Sequence, residues 1–184
     1  MALTDRSDAE LLVQFREPAT REAAFTSIIK KYQEKLYWHI RRMVISHDDA
    51  NDVLQNVFIR VWNGLANFRE DAQLYTWLYR IATNESLTHI ESQKKRASVS
   101  LSDVESGLSN KIQADKHFDP KKLEWKLQLA IQQLPEKQRI VFNLRYYDEM
   151  PYEEMSRVLE TSEGALKASY HHAVKKIEDY IKNH

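Results

Sequence analysis

The sequence contains no cysteine, only three glycines and four prolines, and no long apolar run in its 184 residues. Without cysteine, disulfides and thiolate metal sites are excluded. So few glycines also leave little room for phosphate-binding loops or for the tight turns of a sheet protein. The start, MALTDRSDAELLVQF, lacks the apolar core of a signal peptide, and no later segment approaches the roughly 20 apolar residues of a membrane span. We therefore expect an all-α cytoplasmic protein with no membrane insertion of its own.

The sequence also shows no group of His, Asp or Glu residues with the spacing of a catalytic or metal-binding site. His171 and His172 are adjacent, so on a helix they point about 100° apart and make a poor metal pair. Asp48, Asp49 and Asp52 resemble a metal cluster, but helix capping and a solvated face explain them better. We expect no metal, no cofactor and no catalytic residues, and hence a protein that is not an enzyme.

The charge is balanced overall but uneven along the chain. The 27 basic and 27 acidic residues cancel, with a net charge of −2 over residues 1–92, +3 over residues 93–122 and −1 over residues 123–184. The hydrophobic content of 42% is enough for helical cores. Because no half of the chain is strongly basic, any contact with nucleic acid must be local.

Apolar periodicity predicts three helices in the first 65 residues. They run from Asp8 to Phe15, from Thr20 to about Ile45, and from Asp49 to about Leu65, with His47, Asp48 and Asp49 breaking the chain before the third. The third helix has a wide stripe that we expect to be buried, made of Val53, Leu54, Val57, Phe58, Val61, Trp62 and Leu65. Its other side carries Asp52, Gln55, Asn56, Ile59, Arg60 and Asn63. Ile59 fits either a partner contact or an ordinary exposed apolar residue.

A polar loop, Asn67 to Gln73, leads into the segment LYTWLYRIATNESLTHI. Its apolar periodicity turns Leu74, Leu78 and Ile81 inward. The same segment holds Tyr75, Trp77, Tyr79, Arg80 and Asn84. Aromatic rings interleaved with Arg and Asn can stack on unpaired bases and hydrogen-bond to them, although such rings also commonly fill a core.

Residues 93–122 are polar, serine-rich and aperiodic, and we interpret them as a flexible linker between domains 1–92 and 123–184. Lys94, Lys95 and Arg96 at its start fit either phosphate contacts or simple solvation. The second domain opens with a helix from Leu123 to Leu134 and another that begins at Pro135.

The last stretch, Pro151 to Ile181, predicts two helices joined by a short turn. Pro151 suits a first helical position, and Thr161 and Ser162 suit the cap of the second helix. An inward stripe on that helix consists of Leu166, Tyr170, Ala173, Ile177 and Ile181. The opposite face bears Gly164, Lys167, Ala168, Ser169, His171, His172, Lys175 and Lys176.

This polar face has no carboxylate before Glu178. The second helix of a helix–turn–helix needs such a face to enter the major groove of DNA. An ordinary helical hairpin with a solvated face fits the same pattern.

Three segments in this order resemble one family. DDANDVLQNVFIRVWNGLANF resembles the core-binding helix of RNA polymerase sigma factors of the extracytoplasmic-function (ECF) type, especially the form common in Bacteroidetes. FREDAQLYTWLYRIATNES resembles their minus-ten segment, and LPEKQRIVFNLRYYDEMPYEEMSRVLETSEGALKASYHHAVKKI their minus-thirty-five domain. The resemblance covers nearly the whole chain apart from the linker.

The resemblance implies a role for each face. The clamp of core polymerase would be contacted by Asp52, Gln55, Asn56 and Ile59. The minus-ten strand, with a flipped-out base, would be held by Phe68, Arg69, Asp71, Gln73, Tyr75, Arg80 and Asn84. The minus-thirty-five groove would be faced by Gly164, Lys167, Ala168, Ser169, His171, His172 and Lys175. The implied partners are core RNA polymerase through its clamp and flap, promoter DNA and an anti-sigma factor.

The recognition helix departs from the family pattern. Many members have further Arg residues in a GTV-R/K-S-R stretch, whereas this chain has GALKASYHHAVKK, with Ser169 and His172 where Arg is frequent. Fewer permanent charges imply weaker phosphate attraction or different base preferences. Two other classes remain open from the sequence, a two-domain helix–turn–helix regulator that does not join polymerase and an all-helical interaction protein.

Overall fold

The computed structural model describes residues 6–97, 119 and 122–184, and these residues form eight α-helices and no strand. The predicted all-α class is thus confirmed. The helices are α1 (Asp8–Arg16), α2 (Arg21–Val44), α3 (His47–Gly64), α4 (Leu74–Ala97), α5 (Leu123–Gln132), α6 (Glu136–Tyr146), α7 (Tyr152–Leu159) and α8 (Glu163–Asn183). A short 3-10 turn, Leu65–Asn67, follows α3.

Side-chain caps explain where helices α1 and α3 begin. Ser7 caps α1 in a capping box, in which the Glu10 amide donates to the Ser7 hydroxyl at 3.3 Å and the Ser7 amide donates to the Glu10 carboxylate at 2.8 Å. The predicted break at His47–Asp49 is wrong, because α3 already begins at His47. Ser46 is the cap instead, and its hydroxyl accepts from the Asp49 amide at 3.4 Å.

The first domain, α1–α4, encloses one apolar core. Its buried residues include Leu11, Phe15, Ile28, Leu36, Ile40, Val53, Val57, Val61, Leu65, Leu74, Leu78 and Ala82. Trp62 was predicted to be buried with them, but its side chain is 37% exposed. Its ring lies edge-on against Phe15 and Phe25, with centroids 5.4 and 5.0 Å away, so the helix stripe is narrower than the periodicity suggested.

A close approach at the end of α3 requires glycine. A Cβ added to Gly64 would lie 3.2 Å from the ring of Trp77 on α4. That ring also packs on Phe68, with centroids 5.1 Å apart. Gly64 therefore lets α4 approach the turn that carries the 68–73 loop.

The second domain, α5–α8, has its own smaller core of Ala130, Ile131, Leu134, Phe142, Ala173 and Ile177. Pro151 was predicted as the first helical residue of α7, but its backbone is extended and it is the cap, so the helix begins at Tyr152. The turn after α7 places Glu160 in the left-handed region at φ 52°. Ser162 then caps α8 as predicted, its hydroxyl accepting from the Ala165 amide at 3.3 Å.

The two domains pack against each other, which the sequence did not predict. Residues of α6 to α8 join the first domain's core in one continuous cluster: Ile140, Val141, Leu144, Met150, Met155, Val158 and Leu166. Helix α4 extends to Ala97, five residues into the range predicted as linker. The predicted linker from residue 98 to 118 lies outside the described residues, and the domain borders stay a prediction.

Candidate functional site

The outer side of α3 is open to solvent. Asp52, Gln55, Asn56 and Ile59 are all exposed there, Ile59 to 53% of its side chain. A shallow groove beside them is lined by Phe25, Gln55, Phe58, Ile59 and Trp62. An apolar patch with a polar rim is typical of a protein-binding surface. Trp62 belongs to this surface, although its place in the apolar stripe of α3 predicted a buried ring.

The loop before α4 is anchored at one end and exposed along the rest. Phe68 is buried against Trp77, so it supports the loop from beneath. Glu70 has a positive φ of 59° and forms an ion pair with Arg16 at 2.8 Å. The predicted DNA-contacting side chains Arg69, Asp71 and Gln73 all point outward.

A cavity of about 430 Å³ lies beside this loop. Asp71, Gln73 and Phe68 line it from the loop, and α1 contributes Leu12. Its volume falls in the range of small-ligand pockets, which suits an unstacked base. Arg157 of α7 also lines it, so the second domain reaches the edge of this pocket.

One side of α4 faces the second domain. Thr76, Arg80 and Asn84 recur every four residues along this side. The Thr76 hydroxyl donates to the Glu154 carboxylate of α7 at 2.5 Å, and Arg80 forms an ion pair with Glu160. Asn84 is exposed. Tyr75 is half-buried, and burial together with the charge of Glu154 raises the pKa of its phenol.

A buried polar cluster joins the domains next to this side. The Asp148 carboxylate, from the turn between α6 and α7, accepts from Arg42 at 2.8 Å and from the Tyr79 hydroxyl at 3.1 Å. The ring nitrogen Nδ1 of His39 lies 3.5 Å from its second oxygen. The other ring nitrogen of His39, Nε2, lies 2.9 Å from the hydroxyl of Thr83.

The pKa values of this cluster follow from its contacts. Burial alone raises the pKa of the Asp148 carboxyl, but the contact with His39, the charge of Arg42 and the Tyr79 hydroxyl outweigh it, so the pKa lies below its usual range. Burial and the charge of Asp148 raise the pKa of Tyr79, which therefore stays a donor. The sequence analysis missed this cluster. The only signal was His39 itself, a polar residue three positions after Leu36 on the apolar side of α2.

The outer face of α8 is exposed as predicted. Gly164, Lys167, Ala168, His171, His172 and Lys175 are exposed, and Ser169 is partly buried. A Cβ added to Gly164 would meet nothing within 4 Å. Lys167 pairs with Glu163 one turn earlier at 3.6 Å, which partly offsets its charge. The predicted inward stripe holds Leu166, Ala173 and Ile177 fully buried.

Comparison with known proteins matches both domains. The family described as Sigma-70 region 2 matches residues 28–96, and Sigma-70, region 4, matches residues 124–177. The RNA polymerase sigma-H factor of Pseudomonas aeruginosa is 30% identical over 96% of this chain and 94% of its own. The ECF RNA polymerase sigma-E factor of Escherichia coli K12 is 29% identical over 87% of each chain.

This chain belongs to the sigma-70 family. It is an ECF-type sigma factor, and as such it directs transcription initiation at promoters.

The fold of this sigma factor is also similar to solved structures. CnrH, solved in complex with the cytosolic domain of CnrY, gives a TM-score of 0.69 at 20% identity, covering 96% of this chain and 97% of CnrH. The sigma factor RpoE of Bartonella quintana, solved with the anti-sigma factor NepR, gives 0.68 at 17% identity, covering 86% and 96%. At these identities the likeness concerns the fold alone.

Other kinds of site are missing from the described part of this sigma factor. Among those residues, no group of three or more His, Asp or Glu side chains is placed to hold a metal ion. No helix within residues 6–97 or 122–184 combines the length and apolarity that a membrane crossing demands. The features that stand out are thus the three faces on α3, α4 and α8.

Proposed function

We propose that this sigma factor works through three separate surfaces. The α3 face of Asp52, Gln55, Asn56 and Ile59 binds the clamp of core polymerase. The 68–73 loop and the adjoining side of α4 capture the non-template minus-ten strand. The α8 face docks on minus-thirty-five duplex, with the second domain against the polymerase flap. The factor itself makes no covalent bond, so it is not an enzyme, and it acts in the cytoplasm where polymerase transcribes.

One observation carries the proposal. The residues that the family resemblance assigns to polymerase and to the minus-thirty-five groove lie on solvent-facing sides of α3 and α8. The opposite sides of these helices bury Val53, Val57 and Val61 of α3 and Leu166, Ala173 and Ile177 of α8. Exposed polar side chains on a rigid helix support recognition, because their packing partners hold the backbone still.

The minus-ten assignments rest on chemistry as well as on resemblance. A flipped base needs a pocket, hydrogen-bond donors and acceptors, and a nearby ring or apolar wall. The loop cavity offers Asp71 and Gln73 as polar groups and Leu12 as a wall. Phe68 is a supporting residue rather than a stacking one in this proposal, because its ring is already packed on Trp77.

Two finer features are also proposals. The motifs are those of the form common in Bacteroidetes, so this factor should work with a Bacteroidetes core polymerase. An anti-sigma factor is proposed as a partner, because the structurally similar RpoE of Bartonella quintana was solved with one.

Run-off transcription tests the proposed function. Core polymerase is combined with the full chain and a pool of genomic promoter fragments, and the transcripts are sequenced. We expect discrete start sites that are absent with core enzyme alone and that share one minus-ten and one minus-thirty-five element. A parallel reaction with Escherichia coli core enzyme tests the Bacteroidetes proposal, since higher yield with the Bacteroidetes enzyme is expected. Transcripts that match those of core enzyme alone would contradict the proposal.

A further inference from the structure

Four acidic residues of the second domain reach across to the first. One of them, Glu136 of α6, pairs with Lys94 of α4 at 3.1 Å. Asp148 contacts Arg42 and Tyr79, Glu154 contacts Thr76, and Glu160 contacts Arg80. Two other acidic residues of the second domain behave differently. Glu153 pairs with Arg157 at 2.9 Å inside α7, and Glu163 pairs with Lys167 inside α8. Glu154 also lies 3.5 Å from Arg157 within α7, so it contacts both domains, whereas Glu153 and Glu163 pair within their own helices.

The side chains that these carboxylates hold lie on the strand-capture side of α4. Thr76 and Arg80 precede Asn84 in the same four-residue repeat, and Asn84 is the predicted base-contacting residue. Arg157 of α7 lines the cavity beside the 68–73 loop. Helix α7 thus lies over one end of the proposed minus-ten site and touches the edge of its pocket.

The chemistry of the contacts is that of a phosphate site. Arg guanidinium and Thr hydroxyl groups are typical donors to DNA phosphates, and carboxylate oxygens accept from the same donors in the same way. Glu154 and Glu160 therefore accept hydrogen bonds from the Thr76 hydroxyl and the Arg80 guanidinium, the same donors that would contact the phosphates of a bound strand. A strand and α7 cannot use Thr76 and Arg80 at the same time.

Asp148 is built as the anchor of this arrangement. Its carboxylate is only 8% exposed, and its contacts with Arg42, Tyr79 and His39 are all to the first domain. Glu160 sits in left-handed backbone, where Gly or Asn is the less strained residue, yet its side chain is the one that meets Arg80.

We propose that α7 and the turn after it form an intramolecular cover of the minus-ten surface, anchored by Asp148, and that Glu154 on Thr76 and Glu160 on Arg80 compete with the DNA strand for that surface. The proposal rests on the strand-capture function proposed above. In the free factor the competent, uncovered form is a minor fraction, so the apparent affinity for a single strand is lowered by that fraction. The α3 face is not covered in the same arrangement.

The test compares two double variants of the full chain that remove the same charge from the same domain. Glu154→Gln with Glu160→Gln removes the crossing carboxylates, while Glu153→Gln with Glu163→Gln removes the internal ones. Binding of a fluorescent single-stranded minus-ten oligonucleotide is measured by anisotropy. We expect the crossing variant to bind about 5- to 10-fold more tightly than the matched control. Equal affinities of the two variants would overturn the competition.

A second measurement follows the cover without DNA. The chain has no cysteine, so Glu34→Cys on α2 and Lys176→Cys on α8, both at exposed positions, can be labelled cleanly for a pairwise distance measurement. We expect the crossing variant to populate longer distances than the wild type and the matched control. Identical distance distributions in all three would overturn the proposal.

The two readouts also separate this proposal from the function on which it rests. If no variant binds the strand although the distances lengthen, the strand-capture function fails and the competition fails with it, while the domain contact itself is established. The crossing variant could instead show longer label distances and yet bind the strand no more tightly than the wild type. In that case the proposed cover is wrong, while the strand-capture function stands.

Discussion

Two faces of the same domain differ in their surroundings. The α3 face of Asp52, Asn56 and Ile59 is open to solvent. In contrast, Thr76 of α4 contacts Glu154 of α7, and Arg80 contacts Glu160 of the following turn. Both faces are built on rigid helices of one core, so the difference comes from the second domain alone. If the proposed roles are right, the α3 face can bind polymerase without rearrangement, while the α4 side can bind the DNA strand only after the domains part. The comparison therefore predicts that binding to polymerase comes before binding to the DNA strand.

The largest effect is expected from substitutions on the exposed α3 face. Replacing Asn56 with Lys and Ile59 with Glu should abolish binding to core polymerase, because both side chains lie on the exposed side and central contact residues dominate an interface. The fold should survive, since surface changes usually alter stability by less than about 0.5 kcal/mol. Co-purification with core polymerase is the measurement, and thermal unfolding checks the fold.

A matched control for this variant lies on another surface. Val13 is an exposed apolar residue of α1, and Gln33 is an exposed amide of α2. Val13→Glu with Gln33→Lys therefore introduces the same charges away from the α3 face and should bind polymerase normally. Retained co-purification of the Asn56 and Ile59 variant would refute the assignment of the face.

The next effect concerns the covered face. Asn84→Ala should weaken binding of the single-stranded minus-ten oligonucleotide by about 1–3 kcal/mol, the usual cost of losing one base contact. Binding to minus-thirty-five duplex should not change, because α8 carries that contact. Asn63→Ala, at an exposed asparagine of α3, is the control and should leave both affinities unchanged. Equal single-strand affinity of the Asn84 variant and the wild type would argue against base capture at this position.

A smaller effect should follow from removing the anchor of the cover. Asp148→Asn keeps the size of the side chain but loses its charge, which should weaken the domain contact by about 1–3 kcal/mol. The distance between labels at positions 34 and 176 should lengthen, with helicity unchanged. Distances like those of the wild type would show that Asp148 does not anchor the contact.

The same carboxyl predicts a pH dependence. The pKa of Asp148 is lowered in the closed arrangement, so its stabilisation is fully present above the ordinary value of 3.8 and is lost as the pH falls through the lower value. The wild type should thus stay closed from pH 7 to about 5 and open only in stronger acid. The Asn variant should show no such step, and circular dichroism at each pH separates opening from unfolding.

The smallest expected effect concerns the two histidines on the α8 face. Imidazoles gain charge between about pH 8 and pH 6, and nearby phosphates favour the charged form. Binding to minus-thirty-five duplex should therefore tighten a few-fold over this range and become steeper in its salt dependence, by close to one unit of slope per added phosphate contact. Anisotropy of a labelled duplex at several pH and salt values measures both effects.

The variant His171→Gln with His172→Gln should lose this pH dependence, since glutamine keeps the polar reach but does not titrate in this range. His184→Gln, at the carboxy-terminal end of α8, serves as the control and should keep it. A flat wild-type profile, or one that survives the double substitution, would mean that the two imidazoles are not charged DNA contacts.

Helix periodicity predicted most of the fold correctly. The stripes of α3 and α8 place Val53, Val57, Leu166 and Ala173 in the cores, and the polar face of each helix is outside. The errors are local. The cap before α3 is Ser46 rather than the following residues, because several polar side chains in a row compete for one capping position. Trp62 lies at the edge of the stripe, where Phe15 and Phe25 contact one side of its ring and leave the other side open to solvent.

By itself, the sequence determined the all-helical class, the order of the three motifs and the exposed faces of α3 and α8, since these depend on residue spacing along single helices. Only the tertiary structure decided that α7 lies on α4 and that Asp148 meets Arg42, Tyr79 and His39. Those partners are about 70 or more positions away along the chain, and no local pattern encodes which of several acidic residues will cross between domains. Glu153 and Glu154 are neighbours with the same side chain and both lie near Arg157, and only the packing of the two domains brings Glu154 into contact with Thr76 of the first domain.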